Sequence, residues 1–146
     1  MSQQNVEVVK AAHPPSGAEL TTLFAEDSGA PGRLEAIAPL FHAELEFAAH
    51  AGIGNPTAGT GLQALVEAWR DWMQPFETWR TEVERFVALD EDRVLVLIRD
   101  HVRPRGGDAE IESLGCSLWR LRNGKVARID FYPTRSEGLE AAGLSE

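Results

Sequence analysis

The chain reads as an α+β domain in which helices precede an antiparallel meander of long strands. Three observations carry this. Apolar residues recur at helical spacing through the first half. From about residue 78 onward they fall in long β-branched and aromatic runs. Tight-turn signals separate those runs. Helices followed by a meander exclude a parallel sheet of repeated strand–helix–strand units.

The elements follow in order. Asn5 to Ala12 forms a short helix stopped by Pro14-Pro15. Ser16-Gly17-Ala18-Glu19 has the form of a capping box and opens a helix to about Asp27, with Leu20, Leu23 and Phe24 on its apolar side. Ser28 to Gly32 breaks it, and Pro31 starts another helix that buries Leu34, Ile37, Ala38 and Phe41. Leu45 and Phe47 alternate with Glu44 and Glu46 as a short strand, and a Gly/Pro-rich loop covers Ala51 to Gly59. Thr60-Gly61-Leu62-Gln63 is a second capping box. Its helix puts Leu62, Leu65, Val66, Trp69 and Met73 on one stripe and ends at Pro75.

Four strands then run from Thr78 to Leu89, Val94 to Arg103, Ile111 to Arg122 and Lys125 to Tyr132. Their connectors are the polar turn Asp90-Glu91-Asp92, the glycine turn Arg105-Gly106-Gly107-Asp108 and the hairpin dipeptide Asn123-Gly124. Thr134-Arg135-Ser136-Glu137 caps a last short helix that ends near Gly143.

At 146 residues this is one domain. The longest apolar run, Val94 to Ile98, is too short for a membrane helix, and the N-terminus lacks the pattern of a secretory signal, so the expected location is cytoplasmic. The net charge of −9 repels phosphate backbones and anionic lipid, so neither nucleic acid nor membrane is an expected partner. Cys116 is the only cysteine, which excludes an intrachain disulfide and a cysteine-based zinc cluster. Phosphate loops, dinucleotide fingerprints and zinc-protease spacings are absent, so no cofactor or metal is expected.

Several strings, taken in order, resemble the SnoaL-like branch of the nuclear transport factor 2-like superfamily. They are Leu40-Phe41-His42-Ala43-Glu44-Leu45-Glu46-Phe47, Gly61-Leu62-Gln63-Ala64-Leu65, Trp119 to Val126, and Tyr132 followed by Gly138 to Leu144. The resemblance spans about residues 33–146. It implies a cone-shaped, curved antiparallel sheet packed on the N-terminal helices, an α+β barrel of the cystatin-like type around an apolar pocket. Relatives include ketosteroid isomerases, polyketide cyclases, limonene epoxide hydrolase and scytalone dehydratase, while others only bind a ligand or pair with a protein.

Alternation along Val94 to Val102 puts Asp100 on an otherwise aliphatic face, where burial raises a carboxyl toward the range of a neutral-pH acid or base. The resemblance matches it to a catalytic carboxylate of epoxide-hydrolase-like relatives. His101 is a second catalytic candidate on the opposite face, beside Arg99 and Arg103, and His50 a third, at the start of the Gly/Pro loop and within reach of a pocket mouth. Alignment with isomerase- and cyclase-like relatives places Ser117 where they carry a catalytic Asp or His, and Phe47 or Ala48 where isomerases carry their general base. Serine can hydrogen-bond a carbonyl but is no neutral-pH acid. Ser117, Trp119, Phe131, Tyr132, Trp69 and Phe47 are the candidate ligand-binding residues; Trp72, Trp79 and Phe86 are further aromatics of the core or its lining.

Three functions stay open. One is a cofactor-independent isomerase, cyclase, dehydratase or hydrolase acting on a small apolar molecule through Asp100. Another is a carrier of a hydrophobic ligand, and the third an interaction domain filled by its own side chains. Leu95 and Leu97, alternating with arginine on the outer face, point to a homodimer.

Overall fold

A computed structural model describes residues 2–23, 35–50 and 57–144. The elements are α1 (Ser2–Ala12), α2 (Leu20–Leu23), a 3-10 turn (Ala38–Leu40), β1 (Phe41–Ala49), β2 (Ala58–Thr60), α3 (Leu62–Met73), β3 (Phe76–Ala88), β4 (Arg93–Pro104), β5 (Ile111–Arg122), β6 (Lys125–Tyr132) and α4 (Arg135–Ala141). The expected fold class is found: helices pack on one curved six-stranded sheet, in the order β2-β1-β6-β5-β4-β3. The sheet is open rather than closed, and it is not wholly antiparallel, because β1 runs parallel to β6.

The four long strands lie where their composition places them. Asn123 (φ 54°) and Gly124 (φ 77°) form the left-handed pair that a two-residue hairpin requires. The helix-facing side carries Val94, Val96, Trp119, Ile129 and Phe131, which pack with Leu45 and Phe47 of β1, Val6 and Val9 of α1, and Leu65, Ala68 and Trp72 of α3. α3 is turned slightly from its expected stripe. Trp72 is buried at 2% exposure, whereas Trp69 is only partly covered.

Capping departs from expectation at two of three boxes. Ser16 Oγ accepts from Val83 N at 2.9 Å, and Gly17 N donates to Thr81 O at 2.7 Å. Residues 16–19 therefore lie along the rim of β3, and the helix starts at Leu20. Glu19 holds that start, its carboxylate accepting from Thr21 N at 3.1 Å and from Trp79 N at 2.9 Å. Thr60 is likewise a strand residue, and Gly61 (φ 94°, ψ 151°) precedes α3 without a side-chain cap. That backbone region is essentially restricted to glycine. Gly61→Ala is therefore expected to lower stability by about 1–2 kcal/mol in chemical denaturation. An unchanged midpoint would show that the backbone relaxes freely there. Thr134 does cap α4, accepting from Glu137 N at 3.2 Å, and Gly143 (φ 81°) ends it with Leu144 N donating to Leu139 O.

β2 was expected as loop. It pairs with β1 because Gly59 lacks a side chain: a Cβ there would lie 2.6 Å from the ring of Phe47. Phe41 is buried as expected, but as the first residue of β1 rather than on a helix. The expected helix beyond Leu23, its break at 28–32, the helix start at Pro31 and the loop over 51–56 lie outside the described residues.

The outer side of the sheet also has a small core. Leu95 (0% exposed), Cys116 and Leu118 are covered by Leu139 and Ala142 from the α4 region, with Leu97 packed beside them. The apolar face that suggested a homodimer is thus largely sealed by the chain's own C-terminal helix. Among the described residues, no helix is long and apolar enough to cross a membrane.

Candidate functional site

β4 delivers Asp100 to the helix-facing side, as alternation requires, with Thr81 of β3 directly opposite. Thr81 Oγ1 donates to Asp100 Oδ1 at 2.6 Å, and Trp79 Nε1 donates to the same oxygen at 3.0 Å. The second oxygen, Oδ2, takes no hydrogen bond among the described residues, and it is not one of the polar atoms sealed off without a partner. Burial pushes the carboxyl above its ordinary 3.8, and the bonds from Thr81 and Trp79 offset only part of that rise.

The surroundings are apolar. Ile98 and Val102 flank Asp100 on β4, and Trp79 and Val83 lie across on β3. Trp69 meets Trp79 edge to face at 6.1 Å and Phe131 at 5.4 Å; Trp72 touches Phe131 at 5.4 Å and Phe47 at 6.1 Å. A continuous aromatic wall thus runs from Phe47 to the residue that holds Asp100. Trp69, Trp79, Val83 and Ile98 keep partial exposure although they lie on the helix-facing side.

The other candidates fall into separate places. Ser117 and Trp119 share this side, Trp119 Nε1 donating to Ser117 Oγ at 2.8 Å. Ser117 pairs with Val96, however, and lies four positions along β5 from Ser113, the partner of Asp100. At about 3.3 Å per residue that is roughly 13 Å, too far for the two side chains to act on one atom. Buried His13 stands beside Trp119, its ring 5.7 Å from that indole and 6.0 Å from Phe86, with Nδ1 2.9 Å from Pro14 O. Sequence reading missed His13 because it follows the last apolar position of α1 and precedes two prolines. Its signal was the helical spacing Val6, Val9, His13.

His101, His50 and Tyr132 lie on the outer side, away from Asp100. His101 sits among Glu82, Glu110 and Glu112, within hydrogen-bond distance of Glu82. His50 Nε2 lies 3.1 Å from Asp130 Oδ1, and its ring stacks on Tyr132 at 4.3 Å. Their positions correct the expectation that His50 and Tyr132 reach an interior site: strand alternation turns Tyr132 away from Phe131, and His50 follows it. Burial alone would raise the Asp130 carboxyl, but bonds from Arg128 and His50 outweigh it and hold the group below 3.8. Cys116 lies opposite in sense to Ser117, as expected, and burial pushes its thiol up to about 11, so it is no nucleophile at neutral pH. Among the described residues no cluster of three His, Cys, Asp or Glu is placed to hold a metal ion.

Comparison with known proteins bears on this arrangement. The family model for the SnoaL-like domain matches residues 24–129. Among curated proteins no relative matches. Solved structures share the fold at low identity. TerC, crystallised with polyporic acid, has a TM-score of 0.66 at 18% identity, covering 96% of this chain and 98% of that one. The SnoaL-like, polyketide cyclase-type protein of Jannaschia sp. CCS1 has a TM-score of 0.61 at 17% identity, covering 88% and 84%. A protein of ketosteroid isomerase-like fold from Catenulispora acidiphila DSM 44928, in complex with trimethylamine, has a TM-score of 0.61 at 17% identity, covering 94% and 93%. With the family model matched over most of its length and the curved sheet and helices in place, the chain belongs to the SnoaL-like domain family.

Proposed function

We propose that the helix-facing side of the sheet binds a small apolar molecule and that Asp100 acts on it as an acid or base without a cofactor. The reaction class is that of an isomerase, cyclase, dehydratase or hydrolase. One observation carries this reading: a buried carboxyl in apolar surroundings, with one oxygen held by two donors and the other unclaimed among the described residues. A group so held keeps its orientation, and burial favours its protonated form more than in an ordinary carboxyl. The proton belongs on Oδ2, since Oδ1 already accepts two hydrogen bonds. The protonated form therefore donates to an acceptor oxygen of the ligand, such as a carbonyl, and the ionised form accepts through the same atom.

The test begins with binding. Quenching of the fluorescence of Trp69 and Trp79 is followed while small apolar ketones and epoxides are added, and compounds that bind are assayed for turnover. Saturable quenching with turnover that disappears in Asp100→Ala supports the reading. Turnover retained in Asp100→Ala removes the mechanism.

A second reading has its own observation. None of Ser117, Tyr132 and His50, the polar groups expected to assist Asp100, stands beside it. A carrier of hydrophobic ligands needs no such partner. Tight saturable binding without turnover of any bound compound would select the carrier.

A further inference from the structure

The outer surface of the β5–β6 hairpin carries an arrangement separate from Asp100. From Arg120 to Arg128 the chain reads Arg-Leu-Arg-Asn-Gly-Lys-Val-Ala-Arg, four cations and no acid in a protein of net charge −9. Strand register sets arginines side by side, Arg93 opposite Arg120 and Arg120 opposite Arg128. Like charges directly opposed on neighbouring strands destabilise a sheet unless they are neutralised. The two outer members are: Arg93 Nε bonds Asp90 at 2.8 Å, and Arg128 grips both oxygens of Asp130 at 3.0 Å. Arg120 between them is exposed and has no carboxylate within ion-pair distance among the described residues. Arg122, on the same side, places its guanidinium 3.0 Å from the His42 ring.

A groove of about 580 Å³ opens beside these arginines, large enough for a small organic molecule. Arg120, Arg122 and Arg128 line it, and its other charged walls are Glu44, Glu46 and Asp92. Glu46 lies 3.9 Å from Arg128. The three carboxylates disfavour an extended polyanion, whereas a compact ligand can set one oxyanion against the open fork of Arg120.

We propose that this groove binds a small molecule through a carboxylate or phosphate group, with Arg120 as the principal contact and Arg122 as the second. The site lies on the opposite side of the sheet from Asp100 and does not depend on the function proposed there.

The test titrates the whole chain with citrate and, separately, with inorganic phosphate at low salt, by calorimetry or by the arginine side-chain NMR signals. Saturable binding of either ion is expected, about tenfold weaker in Arg120→Gln and weakened less in Arg122→Gln. Added sodium chloride should reduce it. Arg80→Gln, on the same side of the sheet, and Asp100→Asn should leave it unchanged. Whichever ion binds tighter identifies the headgroup. Absence of saturable binding, or equal weakening by Arg80→Gln, overturns the proposal. Binding to vesicles of anionic phospholipid without binding of either free ion overturns it as well.

Discussion

Replacing Asp100 with asparagine is expected to raise the stability of the protein at neutral pH while removing the chemistry assigned to the carboxyl. Asparagine keeps an oxygen for Thr81 and Trp79 and has the shape of the neutral acid, but it never bears the charge that burial penalises. The sign follows from linkage. A carboxyl whose pKa is raised on folding costs nothing below its unfolded value, near 3.8, and destabilises progressively as pH rises through the higher folded value. Urea unfolding of both proteins from about pH 3 to about pH 8 reads this directly. The variant's advantage should be absent at the acid end, grow as pH rises from the unfolded value through the folded one, and then level off. A constant difference across the range would mean that Asp100 ionises no differently in the folded chain. Lost activity with gained stability is the signature of a group kept for function rather than for folding. Stability lost at every pH would instead mark Asp100 as a structural anchor.

The other large effect concerns the outer side of the sheet. Gly138 of α4 sits so close to β5 that a Cβ on it would lie 1.6 Å from Cys116 Sγ and 3.4 Å from Cys116 Cβ. Gly138→Ala should therefore push α4 from the sheet, at a cost of about 3 kcal/mol in chemical denaturation. The obstacle is a single sulfur, so Cys116→Gly in the same chain should return much of the loss. The double-mutant cycle then shows a coupling above 1 kcal/mol, of the order found for residues in direct contact. Additive single effects would show that the helix adjusts without reference to Cys116. The loss matters beyond the helix itself, because α4 covers Leu95 and Leu118. A chain with α4 displaced exposes an apolar strip between the charged groups of the outer face and should associate at lower concentration.

The strands were legible because each long run carries its own pattern and each turn its own residues. Asn123-Gly124 adopts its left-handed pair, and the four long strands begin and end within two residues of the expected positions. Asp100 was legible for the same reason: alternation along β4 depends on nothing outside β4. What holds Asp100 was not. Counting back from the Asp90–Asp92 turn, with Ala88 opposite Val94, places Glu82 across from Asp100. A bulge between Val83 and Arg85 shifts the register by one residue and puts Thr81 there instead. Nothing local in the sequence marks that bulge, so the hydroxyl that clamps the carboxylate could not be found by counting. The capping boxes at Ser16 and Thr60 misled through a similar non-local effect. Strand rims compete for the same side chains and backbone groups, and at both places the rim won. β2 was hidden because three residues centred on Gly59 carry no pattern of their own.

Residues 16–19 have a consequence beyond the helix they fail to cap. Hydrogen bonds from or to Trp79 N, Thr81 O and Val83 N close the middle of the rim of β3, the one long strand at an end of the sheet. The opposite end is β2, three residues long. A sheet so finished gives a neighbouring molecule little ladder to extend, which blocks growth into fibrils and leaves association between copies to side chains. The same strap fixes the backbone of Trp79, whose indole holds Asp100. Protection against runaway assembly and the aim of the buried carboxyl therefore hang on one short stretch of chain, and a lesion there would surface first as a solubility defect.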